Sequence, residues 1–276
     1  MNKSKKIILL MVIMILSFSL TGCSLIDNVK LKLNMKNTDF EYLKQGKADK
    51  LVIQSTRDTS FRFMVTDKNT IKEVYELLSK GKVINEKSDY DPDYIFEIHI
   101  GDSVKKFKYV VGDYQSNKGN FYNDNKKYIV SKRLDNDIIQ NLEISRKPRN
   151  FKNVYYESII QVVEKNKALL NKDNKKVGID IIGDVDVTKY QYSVDISDFM
   201  EKINDAVPNA KLVNKDREKY DIIVNVRTYG FKTSKYKSII TILNKNDKSE
   251  TNIYVDCENN ANTWEINILD KKPSTW

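Results

Sequence analysis

Histidine is almost missing from this chain: His99 is the only one among 276 residues. A Ser-His-Asp or Cys-His centre would have to be built on it. The alternation of Tyr94, Phe96, Ile98 and Ile100 with Ile95, Glu97 and His99 puts His99 on the polar side of a strand. No nucleophile elbow occurs anywhere else. Cysteine is nearly as scarce, with Cys23 and Cys257 alone. Two thiols and one imidazole do not complete the usual structural zinc sets. Cys257 alternates with Ile253 and Val255, which reads as a buried, inert thiol. Nine glycines form no cluster, so phosphate-cradling loops are excluded. No cofactor, metal or catalytic residue is assigned from these residues.

Long apolar runs are also lacking, with one exception at the start. Lys3, Lys5 and Lys6 precede an apolar stretch from Ile7 to Leu20. A spanning helix needs roughly 20 apolar residues, and this run is shorter. A basic head followed by a short apolar run is the pattern of a signal peptide. Its end, Leu20-Thr21-Gly22-Cys23, resembles the lipobox of bacterial lipoproteins. That resemblance implies cleavage between Gly22 and Cys23, a diacylglyceryl group on the Cys23 sulfur, and a place on the outer face of the cell membrane. Two acyl chains are what stable anchoring requires.

Charge asymmetry is missing too. Three lysines and no acid leave with residues 1–22, so the remainder carries 44 basic and 38 acidic side chains. Residues 31–146 and 147–276 each hold a surplus of three positive charges. With no basic tail, the pI of about 9.1 is a poor argument for nucleic acid, and export argues against it further. The partners expected are the membrane, through the lipid anchor, and another envelope protein or an anionic wall polymer.

The periodicities divide the chain into a signal peptide at 1–22, a lipidated N-terminus and tether at 23–46, a first domain at 47–144, a linker at 145–153 and a second domain at 154–276. A flexible tether of this length would reach about 27 Å. Leu31, Leu33, Phe40 and Leu43 argue that part of it docks. In the first domain, Leu51–Ile53 and Phe61–Val65 read as strands. Asp67 caps a helix whose apolar face is Ile71, Val74, Tyr75, Leu77 and Leu78. A hairpin turning at Gly101-Asp102 sets Phe96 against Phe107, Tyr94 against Tyr109, and Glu97 against Lys106. A loop from Gly112 to Lys127, a strand at Tyr128–Val130 and a short helix at Leu134–Leu142 complete it. Thr66–Leu78 and Lys127–Leu142 within this order resemble the ectodomain of YhfM-like lipoproteins, which implies no particular activity.

Arg146, Lys147, Pro148 and Arg149 mark the boundary. Beyond it come a helix at Val154–Leu170, a strand at Val177–Ile181, and a helix carrying Ile196, Phe199, Met200, Ile203 and Val207, stopped by Pro208. Four strands follow, Tyr220–Val226, Ser238–Leu243, Asn252–Cys257 and Thr263–Leu269, in an expected antiparallel meander. The fold class is therefore α+β, two small domains each with an antiparallel sheet packed with helices.

Other candidate motifs fail on their own terms. Asp89, Asp91 and Asp93 open like a calcium loop, but its glycine position holds Tyr94 and its bidentate glutamate position holds Ile100. Ser234 and Lys237 have Ser-x-x-Lys spacing, but lie between strands without the companion motifs of penicillin-binding enzymes. The most suggestive segment runs from Arg227 to Lys237. Arg227, Lys232, Lys235 and Lys237 interleave with Tyr229, Phe231 and Tyr236, and no acid intervenes. It reads as an anion- or polymer-binding hairpin loop. The expected function is a non-catalytic envelope interaction module. The alternative is an envelope hydrolase, to be recognised by a cleft that gathers two or more carboxylates. A solute-binding lipoprotein is disfavoured by the meander.

Overall fold

The computed structural model describes residues 36–142, 147–274 and 276. The apolar run, Cys23, Leu31, Leu33 and the boundary residues 143–146 lie outside them. Two mixed layers of helix and sheet emerge, confirming the α+β class.

The N-terminal sheet contains β1 (Lys50–Ser55), β2 (Arg62–Val65), β3 (Lys82–Ile84), β4 (Tyr94–Ile100), β5 (Ser103–Tyr109), β6 (Phe121–Tyr122) and β7 (Lys127–Ile129). Their spatial order is β2-β1-β4-β5-β6-β7-β3, antiparallel throughout. The hairpin register is as the side chains demand: Tyr94 faces Tyr109, Phe96 faces Phe107 and Glu97 faces Lys106. Gly101 takes the left-handed turn conformation, φ +53°. One face of this sheet is covered by α1 (Lys68–Leu78), where the Asp67 carboxylate accepts from the Thr70 amide at 2.8 Å. Phe40, wholly buried, plugs the same face, with its ring 5.0 Å from Tyr128 and 5.5 Å from Phe107. Burying such a ring contributes about 2–3 kcal/mol. The opposite face carries no covering helix among the described residues.

Two expectations change here. The loop from Gly112 to Lys127 contains β6, a strand of two residues too short to leave a periodicity. The helix at Leu134–Leu142 begins as a π-helical turn, Leu134–Ile139, before an α-helical turn, Gln140–Leu142.

The C-terminal sheet contains β8 (Val177–Asp180), β9 (Ala210–Leu212), β10 (Ile222–Lys232), β11 (Lys235–Asn244), β12 (Ser249–Asn260) and β13 (Thr263–Leu269), in the order β13-β12-β11-β10-β8-β9. The meander β10 to β13 is antiparallel. β8 pairs in parallel with both β10 and β9, so the sheet is mixed. The crossovers are helical, as parallel neighbours require. Helices α2 (Phe151–Lys165) and α3 (Ser193–Ala206) cover one face. The first starts three residues earlier than its apolar spacing suggests, because Phe151 is itself buried and stacks on Tyr155 at 4.9 Å. Residues 151–153, assigned to the linker from sequence, therefore belong to this helix. Asn166 interrupts it before a further turn, Lys167–Leu170.

The two hydrophobic cores draw on separate stretches, Phe40 to Ile139 and Phe151 to Cys257. They nevertheless touch. Tyr192, at the start of α3, packs against the N-terminal core beside Tyr94, ring centroids 6.2 Å apart.

Candidate functional site

The segment Arg227–Lys237 is not a loop. It is the end of β10, a two-residue turn and the start of β11, with a bulge between Thr228 and Gly230. Alternation then separates its residues onto two faces. Tyr236 turns inward and is completely buried, its hydroxyl 3.3 Å from that of Thr228. It offers nothing to a ligand at the surface. Phe231 also packs against the core. Tyr229 stays 54% exposed and leans on Trp276, ring centroids 5.3 Å apart.

The absence of acids along this window does not survive folding either. β12 supplies them from the neighbouring strand: Glu258 lies 3.4 Å from the Lys235 ammonium and Asp256 lies 3.6 Å from that of Lys237. The Lys237 ammonium also sits 5.1 Å over the Trp276 ring. Arg227 packs its guanidinium against Gly183, near Asp184, and donates to its neighbour Val226's carbonyl at 2.8 Å. Of the four cations, Lys232 alone projects from the turn with no acid described beside it.

A cleft of about 250 Å³ lies between α2 and α3. It gathers three carboxylates, Glu157, Asp195 and Asp198, with Lys152 and Lys202. Lys152 bridges two of them, at 2.7 Å from Asp195 and 2.9 Å from Asp198. Burial raises the Asp195 carboxyl above its usual range, against the pull of Lys152. Sequence reasoning missed this cluster because its members are separated by about forty residues; only their spacing within each helix was available.

A second polar assembly joins the two halves. Asp93, from the loop before β4, is buried and accepts from the Ser193 amide at 2.8 Å and the Ser193 hydroxyl at 3.0 Å. Its other oxygen accepts from the Val111 amide at 2.9 Å. Arg57 donates to the Ser193 hydroxyl at 2.6 Å and lies 3.8 Å from Asp93. Burial pushes the Asp93 carboxyl up to about 6, although the two amides and Arg57 pull the other way. The Asp89-Asp91-Asp93 spacing thus serves different ends: Asp93 holds this junction, the Asp91 carbonyl accepts from Ser193, and Asp89 pairs with Lys118. Among the described residues, no group of three or more His, Cys, Asp or Glu is placed to hold a metal ion.

His99 shares the outer side of β4 with Glu97, 3.6 Å away, and faces Val104 across the hairpin. Cys257 is buried on the inner side of β12, where burial raises its thiol to about 12.

These features define an α+β protein with two sheets and a polar junction between them. Residues 44–148 match the family model described as YhfM protein, so this stretch is YhfM-like. No curated protein and no solved structure matches the chain.

Proposed function

We propose that the chain is an extracytoplasmic lipoprotein, lipid-anchored through Cys23 at the outer face of the cell membrane, and that it works as a non-catalytic interaction module for another envelope component. The observation that carries this reading is the sequence from Lys3 to Cys23, a basic head and an apolar run ending in Leu20-Thr21-Gly22-Cys23. Two structural facts support it. The described residues of both hydrophobic cores begin at Phe40 or later, outside the segment whose removal is expected. Cys257 is buried, leaving Cys23 without an exposed rival thiol among the described residues. Among those residues, no helix is long and apolar enough to cross a membrane.

Cys23→Ala tests this in a Gram-positive host. The expected result is a precursor that keeps its first 22 residues and takes up no labelled fatty acid. Normal processing together with unchanged detergent partitioning would show that Cys23 is not the anchor.

One observation favours a second reading, an envelope hydrolase. The cleft between α2 and α3 gathers carboxylates, and Asp195 has the raised affinity for protons that suits a general acid. Its ion pair with Lys152 opposes that role. Wall-polymer hydrolysis abolished by Asp195→Asn in a folded protein would favour the enzyme; no turnover by the wild type would dismiss it.

A further inference from the structure

The face of the N-terminal sheet away from α1 is strongly basic, although no stretch of sequence there is. It is not bare throughout, since Val52 and Tyr122 on it are buried and the Lys87 ammonium lies 5.6 Å over the Tyr122 ring. Strand register places Lys50, Arg62, Lys82, Lys106, Lys108 and Lys127 on this face. Glu97 is the one carboxylate at the face's strand positions among the described residues. At its strand positions the face therefore carries six cations against one acid, while beside Tyr122 the Lys87 ammonium and the Asp91 carboxylate also approach it. Glu97 engages Lys106 at 2.7 Å and Arg62 at 3.8 Å, while Lys50, Lys108 and Lys127 have no acid within ion-pair reach among the described residues. Nor is it purely polar: Met64 is 59% exposed and Val104 43%. The corresponding face of the C-terminal sheet is balanced. There Arg227, Lys211, Lys232, Lys235 and Lys237 meet Asp180, Glu250, Asp256, Glu258 and Glu265.

We propose that this basic face of the N-terminal sheet lies against an anionic phospholipid surface, and that it, rather than the Arg227–Lys237 hairpin, holds the protein there. Charge complementarity comes first, since clustered lysines and arginines are attracted to acidic lipid heads within a Debye length. Shape comes second: a broad sheet face with two projecting apolar side chains suits a flat interface, where a polymer strand would be gripped by a groove. Position comes third, and it rests on the lipoprotein reading. Only about a dozen residues separate Cys23 from Lys36, the first described residue, so the N-terminal sheet is the one a lipid on Cys23 keeps close to the membrane.

The test uses residues 24–276, which contain every described residue of both cores, and far-UV circular dichroism first checks that this protein is folded. Lacking Cys23, this protein also tests the face independently of lipidation: failure here would leave the Cys23 reading standing, and failure of Cys23 acylation would leave the face intact. Co-sedimentation is measured with vesicles of phosphatidylglycerol and with vesicles of phosphatidylcholine. Binding to the anionic vesicles is expected at low ionic strength and is lost at about 0.5 M salt, where screening acts over only a few ångströms. The triple change Lys50→Gln, Lys108→Gln and Lys127→Gln breaks no ion pair, so folding is retained. It should weaken binding by at least about tenfold, the order expected from three membrane-facing cations. Lys232→Gln with Lys235→Gln should change it less than about twofold. Absence of binding to anionic vesicles, equal binding by the triple variant, or binding to purified anionic wall polymer in place of lipid would each overturn the proposal.

Discussion

Asp184→Ala should lower stability by about 3–5 kcal/mol, the scale on which a buried polar network fails when its central member is removed. Asp184 is 1% exposed and follows β8. Its carboxylate accepts from the Thr228 amide at 2.9 Å, the Thr228 hydroxyl at 2.8 Å and the Tyr155 hydroxyl at 3.1 Å. It therefore ties α2 and β10 to the turn between β8 and α3. Alanine leaves the Thr228 amide and the Tyr155 hydroxyl without an acceptor, at about 1–3 kcal/mol each, and leaves the Thr228 hydroxyl with Tyr236 at 3.3 Å alone. For a protein of this size the melting temperature should fall by about 10 °C. Asp184→Asn, which keeps one acceptor oxygen, should lose markedly less. Equal melting temperatures for wild type and Asp184→Ala would show that water replaces the carboxylate freely at this site.

The junction between the two halves gives the second large effect, and its signature is pH. Asp93 is buried, and its carboxyl is raised from 3.8 to about 6. A raised carboxyl binds its proton more tightly in the folded state than in the unfolded one. Its contribution to stability is therefore full in acid and is lost as pH rises from about 4 to about 6. Tightening proton binding to that extent is worth about 3 kcal/mol at most. The neighbouring tyrosines do not titrate in that window to cancel the effect: burial raises the hydroxyls of Tyr109, Tyr122 and Tyr156, which stay neutral. Asp195 and Asp184, also raised, are common to wild type and variant. Urea unfolding of wild type and Asp93→Asn at pH 4.5 and pH 7 isolates the Asp93 contribution. The variant should gain relative to the wild type on moving to pH 7. A difference independent of pH would mean that Asp93 is ionised throughout, held charged by Arg57 and the amides.

Local features of the fold were legible because their causes are local. The β4–β5 hairpin follows from two aromatic pairs and one ion pair that agree on a single register, and Asp67 with its apolar stripe specifies α1. Parallel pairing of β8 with β10 left no such trace, since Val177–Asp180 meets a strand more than forty residues away. β3 and β6 are too short to alternate, and the π-helical turn at Leu134 has the composition of an ordinary helix. The limits of reading charge along a chain are sharpest at the surfaces. The window from Arg227 to Lys237 is acid-free in sequence, but β12 brings Asp256 and Glu258 beside it. The basic face of the N-terminal sheet is the converse. Its cations stand on five different strands and are diluted by acids in the intervening loops. Only the strand register collects them.

Location and attachment both turn on what happens at Cys23. Intact mass spectrometry of the protein extracted from membranes measures it directly. The predicted species begins at Cys23 and is heavier than residues 23–276 by a diacylglyceryl group, with any further acylation at the same residue. A chain retaining Met1 to Gly22, or one cut elsewhere with an unmodified Cys23, would contradict the lipoprotein reading.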